Sequence, residues 1–248
     1  VDRNRIEACF VFTVALTPLI TREFAVAHQS DDIERMRSLF KRYIPMLYSV
    51  AAYFAIFLAF QSDNITVFFG GSQYSGATTI VAIMALYPIH QTYGQLSGSV
   101  FYATENTALS RNISIVSSAI FLIFGAAMLL PDRYFGLGLG AVGFALAMVA
   151  TQIIGVNIQL WFNCKYLGLD MRRFLAHQLY SVLFFAILAF LSAFFTFFDA
   201  PLLDFLVSGF IYACFATIAT YFFPQIFATN RDEIRTNISR FLNYVTKK

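Results

Sequence analysis

The sequence predicts an all-α fold, a polytopic membrane helical bundle of about seven transmembrane helices with the N-terminus outside and the C-terminus cytoplasmic. Three observations lead there. Of 248 residues, 58% are hydrophobic and 12% charged, about half the charged share of a soluble domain. Apolar runs of about 20 residues, the length that crosses about 30 Å of hydrocarbon, recur along the chain. Lys and Arg fall almost entirely in alternate loops, the asymmetry expected of a chain inserted in one orientation.

The spans lie near residues 5–28, 43–61, 76–103, 107–130, 138–163, 176–198 and 202–223. The loops between them are short, so consecutive helices run antiparallel and no soluble domain fits. Arg22, Arg35, Arg37, Lys41 and Arg42, then Arg111, then Lys165, Arg172 and Arg173, then Arg231, Arg235, Arg240, Lys247 and Lys248 form one set of fourteen cations. The opposite loops hold only Arg133, while Arg3 and Arg5 precede the first span. The larger set marks the cytoplasmic side. Residues 1–224 are read as the bundle and 225–248 as a cytoplasmic amphipathic tail, with Ile234, Ile238, Leu242 and Val245 on one helical stripe.

The chain begins at Val1, and VDRNRIEACF leads into a span without the pattern of a cleavable signal peptide. It is expected to be a piece of a longer protein. After the first span, Leu16 to Pro45 (LTPLITREFAVAHQSDDIERMRSLFKRYIP) runs from an apolar stretch into dense mixed charge. Asp31 with Glu34 has capping-box spacing, and Ile33, Met36, Leu39 and Phe40 recur at helical intervals. This elbow is either a solvated loop that fixes topology or an amphipathic helix lying at the membrane interface. Phe68, Phe69 and Tyr74 in the next loop suit an aromatic belt.

The third span is the most polar. Pro88, His90, Gln91, Tyr93, Gly94, Gln95, Ser97, Gly98 and Ser99 lie inside it. Polar groups at membrane depth face the bundle interior or a wet cavity. His90, Gly94, Ser97 and Phe101 share one face by spacing, with Gln91, Gln95 and Tyr102 alongside. Two readings stand: helix-to-helix hydrogen bonding with small-residue packing, or a cavity-lining helix hinged at Pro88. Gln152, Asn157 and Gln159 repeat this mild polarity in the fifth span. Its glycines, in FGLGLGAVGFA, are read as helix-packing residues because no strand precedes them. The sixth and seventh spans are rich in Phe and Leu, which fits lipid-facing positions.

The net charge of +3 and the scattering of cations exclude a nucleic-acid partner. Cys9, Cys164 and Cys214 have no metal-ligand spacing and read as small apolar fillers. His28, His90 and His177 pair with no second ligand or nucleophile, so neither an enzyme, a metal site nor a cofactor is expected. The last span has no Lys for a retinal Schiff base.

LTPLITREFA followed by QSDDIERMRSLFKRYIP, then FFGGSQYSGA, VFYATENTALSRN and YFGLGLGAVGFA, resembles the polysaccharide flippase family of the multidrug/oligosaccharidyl-lipid/polysaccharide transporter superfamily. The resemblance runs from about Ile6 to Cys164; the last two spans match in hydropathy alone. It implies the C-terminal lobe, helices eight to fourteen, of a two-lobe transporter that flips lipid-linked oligosaccharide across the inner, cytoplasmic membrane by alternating access. The partners implied are the lipid-linked glycan substrate, membrane lipids and an N-terminal lobe of the same protein. A cavity for glycan and diphosphate would draw on His90, Gln91, Tyr93, Gln95, Ser97 and Gln152, with Arg3 and Arg5 as phosphate partners, since Arg matches phosphate geometry. Arg3 and Arg5 read equally as solvated charges. A multidrug or metabolite antiporter of the same superfamily would share the architecture, favoured by a mid-span carboxylate that these spans lack. A membrane glycosyltransferase or ligase would need a large acidic outer loop.

Overall fold

The computed structural model describes residues 8–195 and 200–228, with side chains from residue 17 onward. Arg3, Arg5 and the tail stripe at 234–245 lie outside the described residues. Those described form an all-helical fold without a strand. Nine α-helices follow in order: α1 (Ala8–Gln29), α2 (Ile33–Phe60), α3 (Ser62–Gly70), α4 (Thr78–Ala85), α5 (Tyr87–Ala103), α6 (Thr107–Leu129), α7 (Gly140–Leu167), α8 (Met171–Ala193) and α9 (Pro201–Phe222). Short 3-10 turns occupy Ser72–Ala77, Asp132–Tyr134 and Pro224–Phe227. Five of the helices, α2, α6, α7, α8 and α9, are long and apolar enough to cross a membrane. The chain is therefore a multi-pass membrane protein by length and composition. Helices also occupy the first and third expected spans, the third in two pieces.

The elbow differs from expectation in a way the physics explains. Asp31 is not the cap: it sits in the left-handed region at φ 53° and turns the chain. Asp32 caps instead, its carboxylate accepting the Arg35 N–H at 2.9 Å. Glu34 pairs with Arg37 rather than reaching back to the cap. The amphipathic stretch and the second span then form one 28-residue helix, continuous through Pro45. At 1.5 Å per residue it is about 42 Å long, more than the hydrocarbon thickness. Its first turns do not lie flat in an interface: Met36, Phe40 and Ile44 are fully buried against the bundle. The Phe40 ring packs edge-on to Phe174 of α8 at 5.3 Å.

Helix α2 is the central post. It packs on α1, α4, α5, α8 and the Pro224–Phe227 turn, and Leu47, Tyr48, Ala52, Ala55 and Ile56 carry its buried face. Tyr53, Phe57 and Tyr212 stack nearly parallel where α2 meets α9, with centroids 4.8 and 5.1 Å apart. At one end of the bundle, the elbow and the α7–α8 turn meet through Arg37, whose guanidinium donates to the Leu167 carbonyl. At the other end α3 bonds to α9, Asn64 to the Asp204 carboxylate at 2.7 Å and the Gln61 amide to Ser208 at 2.6 Å.

Helices α6 and α7 form a hairpin whose connection folds back on α6. The Leu137, Gly138 and Leu139 N–H groups donate to the Ala127, Leu130 and Met128 carbonyls at 2.8–2.9 Å, which satisfies the last carbonyls of α6. Only glycine fits at 136, where an added Cβ would stand 1.9 Å from the Leu130 carbonyl oxygen.

The third span is broken at Leu86, between α4 and α5. Pro88, near the start of α5, supplies no N–H to continue the α-helical ladder. The chain instead makes tight i to i+3 bonds there, Leu86 to Ile83 at 3.1 Å and Ile89 to Leu86 at 3.2 Å.

Candidate functional site

Below that break, α5 carries polar groups on two faces, and the structure separates them. On one face Tyr87, Gln91, Gly94, Gln95, Gly98 and Tyr102, spaced at one and two helical turns, line a cleft of about 650 Å³. Helix α7 contributes Thr151, Gln152, Gly155, Val156 and Gln159 to it. Helix α6 adds Ser110, Ser114 and Ser117, and α1 adds Thr17 and Pro18. The lining is rich in amides and hydroxyls and, among the described residues, contains no Asp, Glu, Lys, Arg or His. It can hydrogen-bond a neutral polar group and offers no fixed charge to an ion.

Gly94 sets the width of this cleft. A Cβ there would lie 2.7 Å from Val156 Cγ2, with Gln159 Oε1 at 3.6 Å and Gln152 Nε2 at 3.9 Å next. The missing side chain lets the glutamines of α7 stand over the backbone of α5. Thr151 Oγ1 and Gln159 Oε1 are buried and have no hydrogen-bond partner among the described residues. Such groups cost free energy unless something bonds them.

The opposite face of α5 turns into the core. The Tyr48 ring of α2 meets His90 at 5.6 Å, Tyr93 at 5.3 Å and His177 of α8 at 6.3 Å, each edge-on. Gln178 of α8 faces both His90 and Tyr93, and its amide donates to Asn157 Oδ1 at 3.1 Å. Lower on α5, Ser97 is fully buried and bonded by Asn163 of α7. The six expected cavity residues inside the bundle thus divide: Gln91, Gln95 and Gln152 meet in the cleft, whereas His90, Tyr93 and Ser97 belong to helix packing. One face of α5 packs against α2, α7 and α8, and the other lines a cleft.

A third polar group closes the bundle near the end of α9. His177 Nε2 donates to the Ile226 carbonyl at 2.9 Å, and Ser49 Oγ donates to the same oxygen at 2.6 Å. Ser181 Oγ stands 3.1 Å from Ser49 Oγ. A carbonyl only accepts, so both partners must bring hydrogens.

Sequence reasoning passed over Ser49, a single polar residue in an apolar run, and over Asn163 and Gln178, which lie near the basic ends of their helices. The cleft serines of α6 did carry a signal, because 110, 114 and 117 repeat at one helical turn. Among the described residues no group of His, Cys, Asp and Glu is arranged to hold a metal ion. No protein-family model matches the chain, and neither curated proteins nor solved structures provide a match to it.

Proposed function

We propose that the chain is the C-terminal part of a seven-plus-seven-helix flippase that moves lipid-linked oligosaccharide or polysaccharide precursors across the inner membrane by alternating access. The observation that carries this is the neutral, amide- and hydroxyl-lined cleft between α1, α5, α6 and α7. A glycan presents many hydroxyls and no charge, and such a lining can exchange its hydrogen bonds with water for bonds to the sugar. The motifs around Pro18, Gly70, Gly71 and Tyr74 add the resemblance described above.

In this reading the chain crosses the membrane seven times. Helix α1 is the first span and the broken pair α4 and α5 together form the third. The elbow, the α5–α6 turn with Arg111, the α7–α8 turn and residues 225–248 face the cytoplasm, because their cations outnumber those of the opposite loops fourteen to one. The proximity of Arg37 to the α7–α8 turn is consistent with one basic end. The break at Leu86 is where the cavity wall would flex. Arg3 and Arg5 are retained as partners for the anionic diphosphate on charge and geometry alone. Antiport is the weaker reading, since a proton-coupled carrier draws on a carboxylate or imidazole within its cavity and the described cleft lining has neither.

The test is reconstitution of the full-length gene product in vesicles with a fluorescent oligosaccharide-diphosphate-undecaprenol, scored by quencher access to the inner leaflet's lipid. Protein-dependent flipping is expected, slowed about tenfold or more in Gln95→Leu/Gln152→Leu, as two cavity hydrogen bonds of about 1 kcal/mol each are removed. Absence of protein-dependent flipping overturns the proposal.

A further inference from the structure

A second concavity, unrelated to the cleft, lies at the basic end of the bundle. Lys41 of α2 and Arg173 of α8 line a pocket of about 420 Å³ whose apolar floor is Pro45, Leu169 and Phe174. Both cations are exposed, and neither takes part in a salt bridge among the described residues. The pocket also holds the Asp170 carboxylate and the His177 ring. Asp170 caps α8 by accepting the Arg172 N–H at 3.0 Å, and His177 is bonded to Ile226.

We propose that this pocket binds the phosphate of an anionic phospholipid, the Lys41 ammonium and Arg173 guanidinium holding the head group and the acyl chains descending along α8. Two cations on separate helices converge on one concavity, which suits a phosphodiester better than a single exposed charge does. The lipid source is favoured over a free phosphate ion by what lies next to the pocket. From Arg173, steps of three to four residues reach Ala176, Tyr180, Leu183, Ile187 and Leu191, all exposed on the outer surface of a membrane-crossing helix. Arg173 thus stands at the head of an exposed apolar stripe on the same helix, where a lipid finds both a cation for its head group and a surface for its chains. The site is independent of what the cleft carries.

The purified full chain in detergent, titrated with short-chain phosphatidylglycerol, short-chain phosphatidylcholine and inorganic phosphate and read by native mass spectrometry, tests this. The expected result is retention of phosphatidylglycerol about tenfold above phosphatidylcholine. That preference should disappear in Lys41→Gln/Arg173→Gln and persist in Lys41→Arg and in Arg172→Gln, which removes a cation outside the pocket. All three positions are exposed, so far-UV circular dichroism should show unchanged folding. Equal retention of the two lipids, or a preference unaffected by the double substitution, overturns the proposal. Displacement of phosphatidylglycerol by equimolar inorganic phosphate overturns the lipid assignment as well.

Discussion

Asn163 of α7 donates its amide to both the backbone carbonyl and the hydroxyl of Ser97 in α5, at 2.8 and 2.7 Å, with both residues fully buried. This pair ties together two of the helices that wall the cleft, where water does not compete. Replacing Asn163 with Leu removes both bonds at similar volume. A loss of about 1–2 kcal/mol is expected, with a smaller loss for Ser97→Ala, which keeps the bond to the carbonyl. Equilibrium unfolding in mixed micelles against a denaturing detergent measures both.

Gly94 and Val156 form a compensating pair. Gly94→Ala puts a methyl 2.7 Å from Val156 Cγ2, an overpacking that costs about 1–3 kcal/mol. Val156→Ala in the same chain opens the space, so the double variant should recover most of the thermal stability that Gly94→Ala loses. A double variant no more stable than the single one would place the clash elsewhere.

The glycines of the α6–α7 hairpin should differ sharply. At Gly136 the clash is with backbone, the Leu130 carbonyl oxygen, and cannot be relieved without opening the turn. At Gly155 the nearest atom is Ser117 Oγ at 2.6 Å, the end of a side chain that can rotate. Gly136→Ala is expected to destabilise by more than about 2 kcal/mol and Gly155→Ala by less than about 1 kcal/mol, read as shifts in melting temperature.

The Ile226 carbonyl is held by Ser49 and His177 together. Either substitution alone, Ser49→Ala or His177→Phe, leaves one donor in place; the double variant leaves a buried acceptor bare. Hydrogen exchange should accelerate around residues 224–228 in the double variant, about tenfold more than in either single one, while the amides of α5 keep their protection.

The exposed Glu23–Arg35 pair, at 2.7 Å with both side chains 45% accessible, should by contrast count for little. A double-mutant cycle is expected to give less than about 0.5 kcal/mol, falling further with added salt.

The long apolar helices were readable in the sequence because their signal is redundant: α6, α7 and α9 begin and end within a few residues of the expected spans. Two features depended on finer balances. Asp31 and Asp32 are equally good caps by type, and the choice between them rests on one backbone angle. Pro45 lies near the start of the expected second span, yet burial of Ile44, Leu47 and Tyr48 on both sides of it keeps α2 unbroken. In α5 the helical period places Gln91 and Gln95 apart from His90, Tyr93 and Ser97. It does not tell which face meets a cleft, because that depends on where α6 and α7 stand. Gln159 and Thr151 acquire meaning only through the same neighbours.

The interruption at Leu86 has a mechanical consequence. A continuous helix behaves as a rod, and force applied at one end is felt at the other. Two segments joined by a residue with tight turn geometry behave as a jointed strut. Helix α4 is gripped by α2, α3 and α7, so tilting of α5 over the cleft need not drag the far end of the span. In the transport cycle proposed above, closing and opening at the two surfaces of the membrane would thereby be separable movements.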